Sequence, residues 1–385
     1  MRELSHPSVG AVTAHVGAGS SFRNAAANLG LVMLSLLMVA VLGEITLRAL
    51  APQPIIPRYV ESAPYGIRKN IGHVRGEMMV AEYRHGFSTN SQGFRGTREY
   101  AVVKPPGVFR IVALGDSTTL GHGVEDDETF SAVLERQLSA SRPTEVLNMG
   151  VSGFGTAEEL IQLREVGLRY QPDLVVLGYW PNDPYNNVVS RLFRVEGGAA
   201  VRESQDFVPA IAIRDRLYSI PGYSFLCQHS HLVNFVRNRV SAYFVKSLAE
   251  EHRISFDVEE TVSLKERELT GALLQALAVE TAERSIPLVI LNMPVLTDGR
   301  RVANFPRDIE TSLPATVSVV DVGTAIYRAR PPGALSYAKD SHPKPEAHRL
   351  IGDYVASWVR ERIWASSPDR PAPIAAEVSS GGNTP

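Results

Sequence analysis

Cysteine is nearly absent: Cys227 is the one cysteine in a chain of 385 residues. That excludes an intramolecular disulfide framework and any multi-cysteine metal site, and leaves the redox compartment open. An excess of either charge is missing too, since 39 Lys and Arg face 41 Asp and Glu. No basic stripe interleaved with aromatics occurs, so nucleic acid is not an expected partner. Neither a His-Glu-x-x-His helix nor a phosphate loop ending in Gly-Lys is present, and no metal or other cofactor is required. What the chain does hold is apolar content, 44% of its residues, ample for a packed core. Its length suits one large domain with appendages, or two small ones.

One long uncharged run stands out. Residues 1–28 are small and polar, which predicts a flexible tail, and the character changes at Leu29. Leu29 to Gly43 carries no charge. Extended to Leu50, the run gives a helix of about 33 Å at roughly 1.5 Å per residue, enough to cross a bilayer. Glu44 and Arg48 stand four apart, where they can pair near the far interface. A cleaved signal peptide competes with this reading, because Ala49, Leu50 and Ala51 resemble a small-residue cleavage site. Pro52 directly afterwards spoils that site, so an uncleaved anchor over 29–50 is expected. Arg23 precedes the span while Arg48, Arg58, Arg68 and Lys69 follow it, so the charge rule does not fix its orientation.

Residues 51–107 read as a connecting region, first proline-rich at Pro52, Pro54 and Pro57, then carrying short segments such as Met78 to Tyr83 and turn signals at Asn90 to Gly93. A small hairpin without chemistry of its own is expected there.

The stretch around which the rest is organised is Val108 to Val124. Val108 to Leu114 is a short β-branched apolar run ended by Gly115, the signature of a buried parallel strand. Asp116, Ser117, Thr118 and Thr119 then form a polar turn, and Phe130, Val133, Leu134 and Leu138 mark a helix. The alternation continues with strands at Glu145 to Asn148, Asp173 to Tyr179, Pro287 to Asn292 and Val317 to Val322. Helices are expected over Thr156 to Tyr170, Glu268 to Arg284 and Pro345 to about Ile363. This predicts an α/β fold over 108–363: a doubly wound, flavodoxin-like parallel sheet of about five strands flanked by helices. From Pro184 to about Leu264 the pattern breaks, and Tyr223 to Ala249 reads as helical. An inserted helical subdomain is expected, either self-packed or forming a lid or acyl groove lined by Phe225, Phe235 and Phe244. Residues 364–385 are rich in Pro, Ser, Gly and Ala, which predicts a disordered tail.

Four polar sites fall where strands end, and open α/β sheets place their chemistry at that edge. The first is Ser117 with Asp116, which would otherwise serve only to form a turn. The second is the glycine-rich turn Asn148 to Gly155, able to present backbone N–H groups to an anion or merely to turn tightly. The third is Asn182, whose amide can meet a developing oxyanion or simply occupy a turn. The fourth is His342 with Asp340, a general base with a partner, or a cap with a surface imidazole.

Together the four blocks resemble those of the SGNH hydrolases, also called GDSL esterases and lipases, over about residues 108–361. The resemblance implies that Ser117 of Gly115, Asp116 and Ser117 is the nucleophile, and that its backbone N–H binds the oxyanion together with Gly153 and Asn182. It implies His342 as base and Asp340 as its acidic partner. Trp180 stands where that family usually has glycine, which would narrow the pocket. Lys339 stands where many members have the acid, so Asp340 takes a shorter spacing found in some relatives. His348 keeps a second family histidine and is expected to pack or cap. Asp183, Asp126 and Asp127 receive no catalytic role, the last two favouring the positive end of the following helix.

The chemistry implied is attack of Ser117 on an ester carbonyl through an acyl-serine intermediate. Acyl transfer or deacetylation on an envelope glycan uses the same acyl-serine, and a non-catalytic glycan-binding or assembly module could use the same fold. The expected partners are an ester-bearing substrate, glycan or lipid, and the membrane. An extracytoplasmic catalytic domain follows from the habit of single-anchor hydrolases rather than from these residues.

Overall fold

The computed structural model describes residues 18–208, 211–251, 263–293, 296–297, 300–301, 305–327, 330 and 332–365. Residues 1–17 and 366–385 of the two expected tails lie outside the described residues, as do 252–262 of the insertion and the side chains of Phe244 and Val245.

Helix α1 (Ala18–Leu50) starts earlier than expected, so residues 18–28 continue the helix instead of forming a tail. Over Arg23–Leu50 it is long and apolar enough to cross a membrane, and none of its most apolar window is buried by protein. Two small antiparallel pairs follow, Val60–Ser62 with Arg68–Asn70 and Arg75–Met79 with Arg84–Ser88. Asn90 Oδ1 accepts the N–H groups of Gln92 and Phe94, which explains the turn signal at Asn90 to Gly93.

The sheet begins with β1 (Phe109–Gly115), then α2 (Ser117–Leu120) and α3 (Phe130–Ser139). Next come β2 (Thr144–Asn148), α4 (Thr156–Glu165), β3 (Leu174–Tyr179) and α5 (Asp183–Ser190). After the insertion stand α9 (Leu264–Ala282), β4 (Leu288–Asn292), α10 (Arg307–Ser312), β5 (Val317–Val320), α11 (Val322–Tyr327) and α12 (Pro345–Trp358). The five strands are parallel in the spatial order β2-β1-β3-β4-β5, the doubly wound order expected from the α/β alternation.

Every residue of β1, β2, β3 and β4 is buried, the reason apolar residues dominate β1, β3 and β4. Alternate residues serve two cores. Val112, Leu114, Leu147, Val175 and Ile290 pack with Leu160 of α4 and Leu273 and Leu277 of α9. Ile111, Ala113, Val146, Val176 and Val289 pack with Leu134 of α3 and Ile351 and Val355 of α12. The chain continues helically past α12 through Val359–Trp364, and Trp364 is 2% exposed, so the folded unit extends one residue beyond the expected end at Ile363.

The insertion is helical in its middle, with α6 (Ile211–Tyr218), α7 (Tyr223–His229) and α8 (His231–Glu251), preceded by a hairpin of Phe193–Glu196 and Ala199–Arg202. Phe225 is 63% exposed and stacks on His229, while Phe235 carries Arg239 over its ring. The described contacts of these two rings stay within α7 and α8. The insertion docks instead on the end of α1. Glu44 accepts the N–H groups of His231 (3.0 Å) and Leu232 (2.8 Å) and the Ser230 hydroxyl, capping α8. Arg48 pairs with Glu44 at 2.9 Å, as its spacing implied, and donates to the His229 carbonyl.

Candidate active site

Strand β1 lies between β2 and β3, so the loops that leave the carboxyl ends of these three strands are neighbours. The first carries Ser117. Gly115 pairs across with Gly178 of β3, and a Cβ on either would stand 2.0 or 2.3 Å from Thr119 Oγ1. Two glycines thus let α2 press onto the sheet edge. Asp116 is buried and caps α2 by accepting the Thr118 N–H at 2.8 Å. Burial pushes its carboxyl up, against the Thr118 bond and His342, which lower it. Ser117 at the start of α2 is half-buried and open to a reactant.

His342 approaches from the loop before α12. Its Nε2 is 2.8 Å from Ser117 Oγ and its Nδ1 is 2.9 Å from Asp340 Oδ1. Burial raises the Asp340 carboxyl, but hydrogen bonds from His342 and Tyr83 outweigh it and hold the group below its ordinary range. An ionised carboxylate only accepts, so Nδ1 carries the ring proton and Nε2 is left to accept from the serine. Lys339, in the position many relatives give the acid, is exposed and donates only its backbone N–H in this loop, to Glu82.

Gly153 and Asn182 occupy the flanking loops. Gly153 has φ +76°, a left-handed turn that suits glycine, and its carbonyl accepts from Arg68 at 2.7 Å. Arg68 in turn pairs with buried Glu158. Asn182 is exposed at the start of α5, and its side-chain amide makes no hydrogen bond among the described residues. The hydrogen-bond chain therefore joins Ser117, His342 and Asp340, while Gly153 and Asn182 stand at the ends of the two strands beside β1. Trp180 packs, partly buried, against the core under α12.

Four buried carboxyl groups, Asp116, Glu158, Glu159 and Asp183, lie in and beside these loops. Among the described residues neither Glu159 oxygen has a hydrogen-bond partner, and Asp183 accepts only the Trp180 N–H, at 3.2 Å. Burial, reinforced by the neighbouring carboxyls, pushes Glu159 and Asp183 well above their ordinary values.

Several contributors come from segments in which no chemistry was expected. Tyr83 donates to Asp340 Oδ2 from the turn of the second hairpin. Tyr59 donates to Ser152 Oγ at 2.8 Å, and both hydroxyls lie within 3.1 Å of His122 Nε2. The His122 ring stacks 5.2 Å from that of His342. Burial, with help from His342, lowers His122 to about 3, so a neutral imidazole borders the site. Residues 51–107 are thus part of the site's wall, a correction to the expectation. No local signal marks these residues, because each acts through a partner distant in sequence.

Two expectations about accessory groups resolve differently. His348 is buried, accepts the Phe130 N–H at 3.1 Å and stacks on the Phe130 ring, so it caps α3 as expected. Asp126 opens the helical turn Asp126–Glu128 directly ahead of α3. It pairs with Arg95 at 2.6 Å and accepts the Ser88 N–H at 3.1 Å, while Thr129 caps α3.

The GDSL-like lipase/acylhydrolase family model matches residues 113–350, which include all four blocks. No curated protein matches the sequence. Among solved structures, the chain is similar to a psychrotrophic esterase from Pseudoalteromonas sp. at 13% identity, covering 66% of this chain and 98% of that one with a TM-score of 0.37. It is also similar to a catalytic mutant of an acetylxylan esterase from Geobacillus stearothermophilus, at 16% identity, covering 66% and 93% with a TM-score of 0.37. The chain belongs to the GDSL-like lipase/acylhydrolase family of the SGNH superfamily and is an ester-hydrolysing enzyme.

Proposed function

We propose that the protein is a membrane-anchored serine esterase that cleaves an acyl ester through an acyl-serine, with Ser117, His342 and Asp340 as its catalytic residues. The observation that carries this reading is the unbroken chain from Ser117 Oγ to His342 Nε2 (2.8 Å) and from His342 Nδ1 to Asp340 Oδ1 (2.9 Å). A serine hydroxyl is a weak nucleophile at neutral pH, and this chain supplies a positioned base for its proton.

In the first half-reaction Ser117 Oγ bonds to the ester carbonyl carbon as its proton passes to His342 Nε2. The carbonyl oxygen becomes an oxyanion facing the backbone N–H groups of Ser117 and Gly153 and the Asn182 amide. Collapse of the tetrahedral intermediate breaks the bond to the alcohol oxygen, which leaves with the proton from His342. Water then attacks the acyl-serine, gives its proton to His342, and the acid departs as Ser117 regains its hydrogen. Asp340 stays ionised throughout and steadies the imidazolium.

Support for the anchor comes from α1, apolar and unburied by protein over a length that spans a bilayer. Glu44 and Arg48 join its end to α7 and α8, so the catalytic unit would be held close to the membrane surface. The test uses the full chain in detergent micelles beside Ser117→Ala. Release of p-nitrophenol from p-nitrophenyl acetate by the wild type alone is the expected result, and equal rates would overturn the assignment. Supplying an oligosaccharide and weighing it by mass spectrometry checks the acceptor. Unmodified sugar is expected, and acetylated sugar that depends on Ser117 would reassign the enzyme to acyl transfer.

A further inference from the structure

We infer that Tyr83, carried on a hairpin turn whose Glu82 holds the acid loop, is a positioning residue for Asp340 and hence for His342. The inference rests on the assignment of Ser117, His342 and Asp340 made above.

Asp340 would be a poor orienting group on its own. Its loop lacks regular structure, a single residue separates it from His342, and both side chains are part-exposed. A carboxylate bonded on one oxygen only is free to swing about its last torsion, taking the imidazole with it. Here each oxygen has a donor: Oδ1 receives the His342 ring N–H, and Oδ2 receives the Tyr83 hydroxyl. Two donors on opposite oxygens fix the carboxylate plane.

Tyr83 is itself held. It lies in the turn between Arg75–Met79 and Arg84–Ser88, where its carbonyl accepts the Val80 N–H at 3.0 Å. Its ring meets that of Tyr337 at 4.5 Å, and the Tyr337 hydroxyl donates to the Gly123 carbonyl at 2.8 Å. The preceding residue grips the backbone of the acid loop. The Glu82 carboxylate accepts three consecutive N–H groups, those of Ala338 (3.0 Å), Lys339 (2.7 Å) and Asp340 (2.9 Å). One hairpin turn therefore holds both the main chain and the side chain of the proposed acid. Packing alone does not require a hydroxyl aimed at the outer oxygen of that carboxylate.

Tyr83→Phe separates the two roles, since it keeps the ring on Tyr337 and removes only the O–H. A hydrogen bond to a charged group at a part-exposed site sets the expected size, a fall in kcat of about 10-fold with KM within about twofold. A carboxylate that has lost a donor holds the imidazolium proton more strongly, so the acid limb of kcat/KM moves to higher pH. The groups that face or act on His342 and Asp340 are Ser117, Asp116, His122, Tyr83, Tyr337, His348 and the Glu82 carboxylate. His122, neutral down to about pH 3, adds no limb above that value. Glu82→Gln, which keeps an acceptor but loses the charge, is expected to lower kcat by a smaller factor in the same direction.

The assay is p-nitrophenyl acetate hydrolysis by the full chain in micelles from pH 5 to 9, with thermal midpoints and a Ser117→Ala control. A lower kcat, a shifted acid limb and an unchanged midpoint support the positioning role. Wild-type kcat and pH profile in Tyr83→Phe, or a rate loss matched by a fallen midpoint with the limb in place, overturn it. If Ser117→Ala is as active as the wild type, the assignment of the nucleophile fails instead, and the two failures are told apart.

Discussion

Asp340 stands only two residues before His342, yet its Oδ1 lies 2.9 Å from the His342 Nδ1. The residue between them makes this contact. Ser341 has φ +64°, a left-handed bend, and the loop closes through Ser341 N–H to Tyr337 C=O (3.1 Å) and Tyr337 N–H to His342 C=O (3.0 Å). Both side chains are thereby turned to one side. A β-branched residue resists that conformation at a cost of about 1–3 kcal/mol. Ser341→Val is expected to lower the thermal midpoint and to reduce kcat by about 10-fold or more, while Ser341→Gly, free of the Cβ, keeps both close to wild type. Parallel melting curves and steady-state kinetics check this.

Asn182 gives a cleaner separation of rate from stability. Its side chain is exposed and makes no hydrogen bond among the described residues, so Asn182→Ala leaves the fold intact. Loss of one oxyanion donor costs on the order of 100-fold in rate. A fall of that size in kcat with an unchanged melting curve is the expected outcome. An Asn182→Ala enzyme within twofold of wild type would remove Asn182 from the oxyanion site.

The two buried histidines make stability depend on pH. His122 and His348 are held at about 3 by burial, against 6.5 when exposed in the unfolded chain. A base whose folded value is depressed binds more protons unfolded, so its contribution is complete above about pH 6.5 and is lost as pH falls toward 3. Each contributes a slope of up to about 1.4 kcal/mol per pH unit within that window. Denaturant unfolding at pH 7 and pH 5 should therefore show lower stability at pH 5, and His348→Asn, which cannot take up the proton, should show a smaller difference.

Much of the fold is legible in the sequence because buried parallel strands announce themselves. Val108 to Leu114 is apolar apart from Arg110, Leu174 to Tyr179 is apolar throughout, and the structure buries all of β1 and β3. Ser117, Gly153, Asn182 and His342 are legible as candidates because each follows a strand or precedes a helix in a recognisable block. Tyr83 is not. Its partner Asp340 is 257 residues away, and nothing local in Glu82 and Tyr83 signals a contact that only the folded hairpin creates. Asp126 is legible as an acid just before a helix, but its ion pair with buried Arg95 exists only in the fold. For Phe225 and Phe235 the sequence leaves a groove and a self-packed subdomain both open, and their ring contacts within α7 and α8 fit the second. Apolar spacing along a helix does not say whether it faces a groove, its own subdomain or, as with α8, the end of α1.

Glu159 carries a prediction of the opposite sign to the histidines. Burial and the adjacent carboxyls push its carboxyl well above its ordinary value, and neither oxygen is hydrogen-bonded among the described residues. An acid with a raised folded value stabilises fully below its unfolded value and loses that contribution as pH rises. Glu159→Gln removes the ionisable proton at similar volume. It should raise stability by about 1 kcal/mol or more at pH 8 and by less at pH 5. Midpoints at the two pH values decide it, and a variant less stable at pH 8 would mean that the carboxylate has a partner.

The most direct test of the central claim is covalent. A fluorophosphonate reacts with a serine only where a base and an oxyanion site activate it, and peptide mass mapping identifies the serine that carries the adduct. One adduct per chain is expected, at Ser117, lost in Ser117→Ala and slowed by about 1000-fold or more in His342→Ala. Labelling at another serine, or labelling of Ser117 at an undiminished rate without His342, would contradict it.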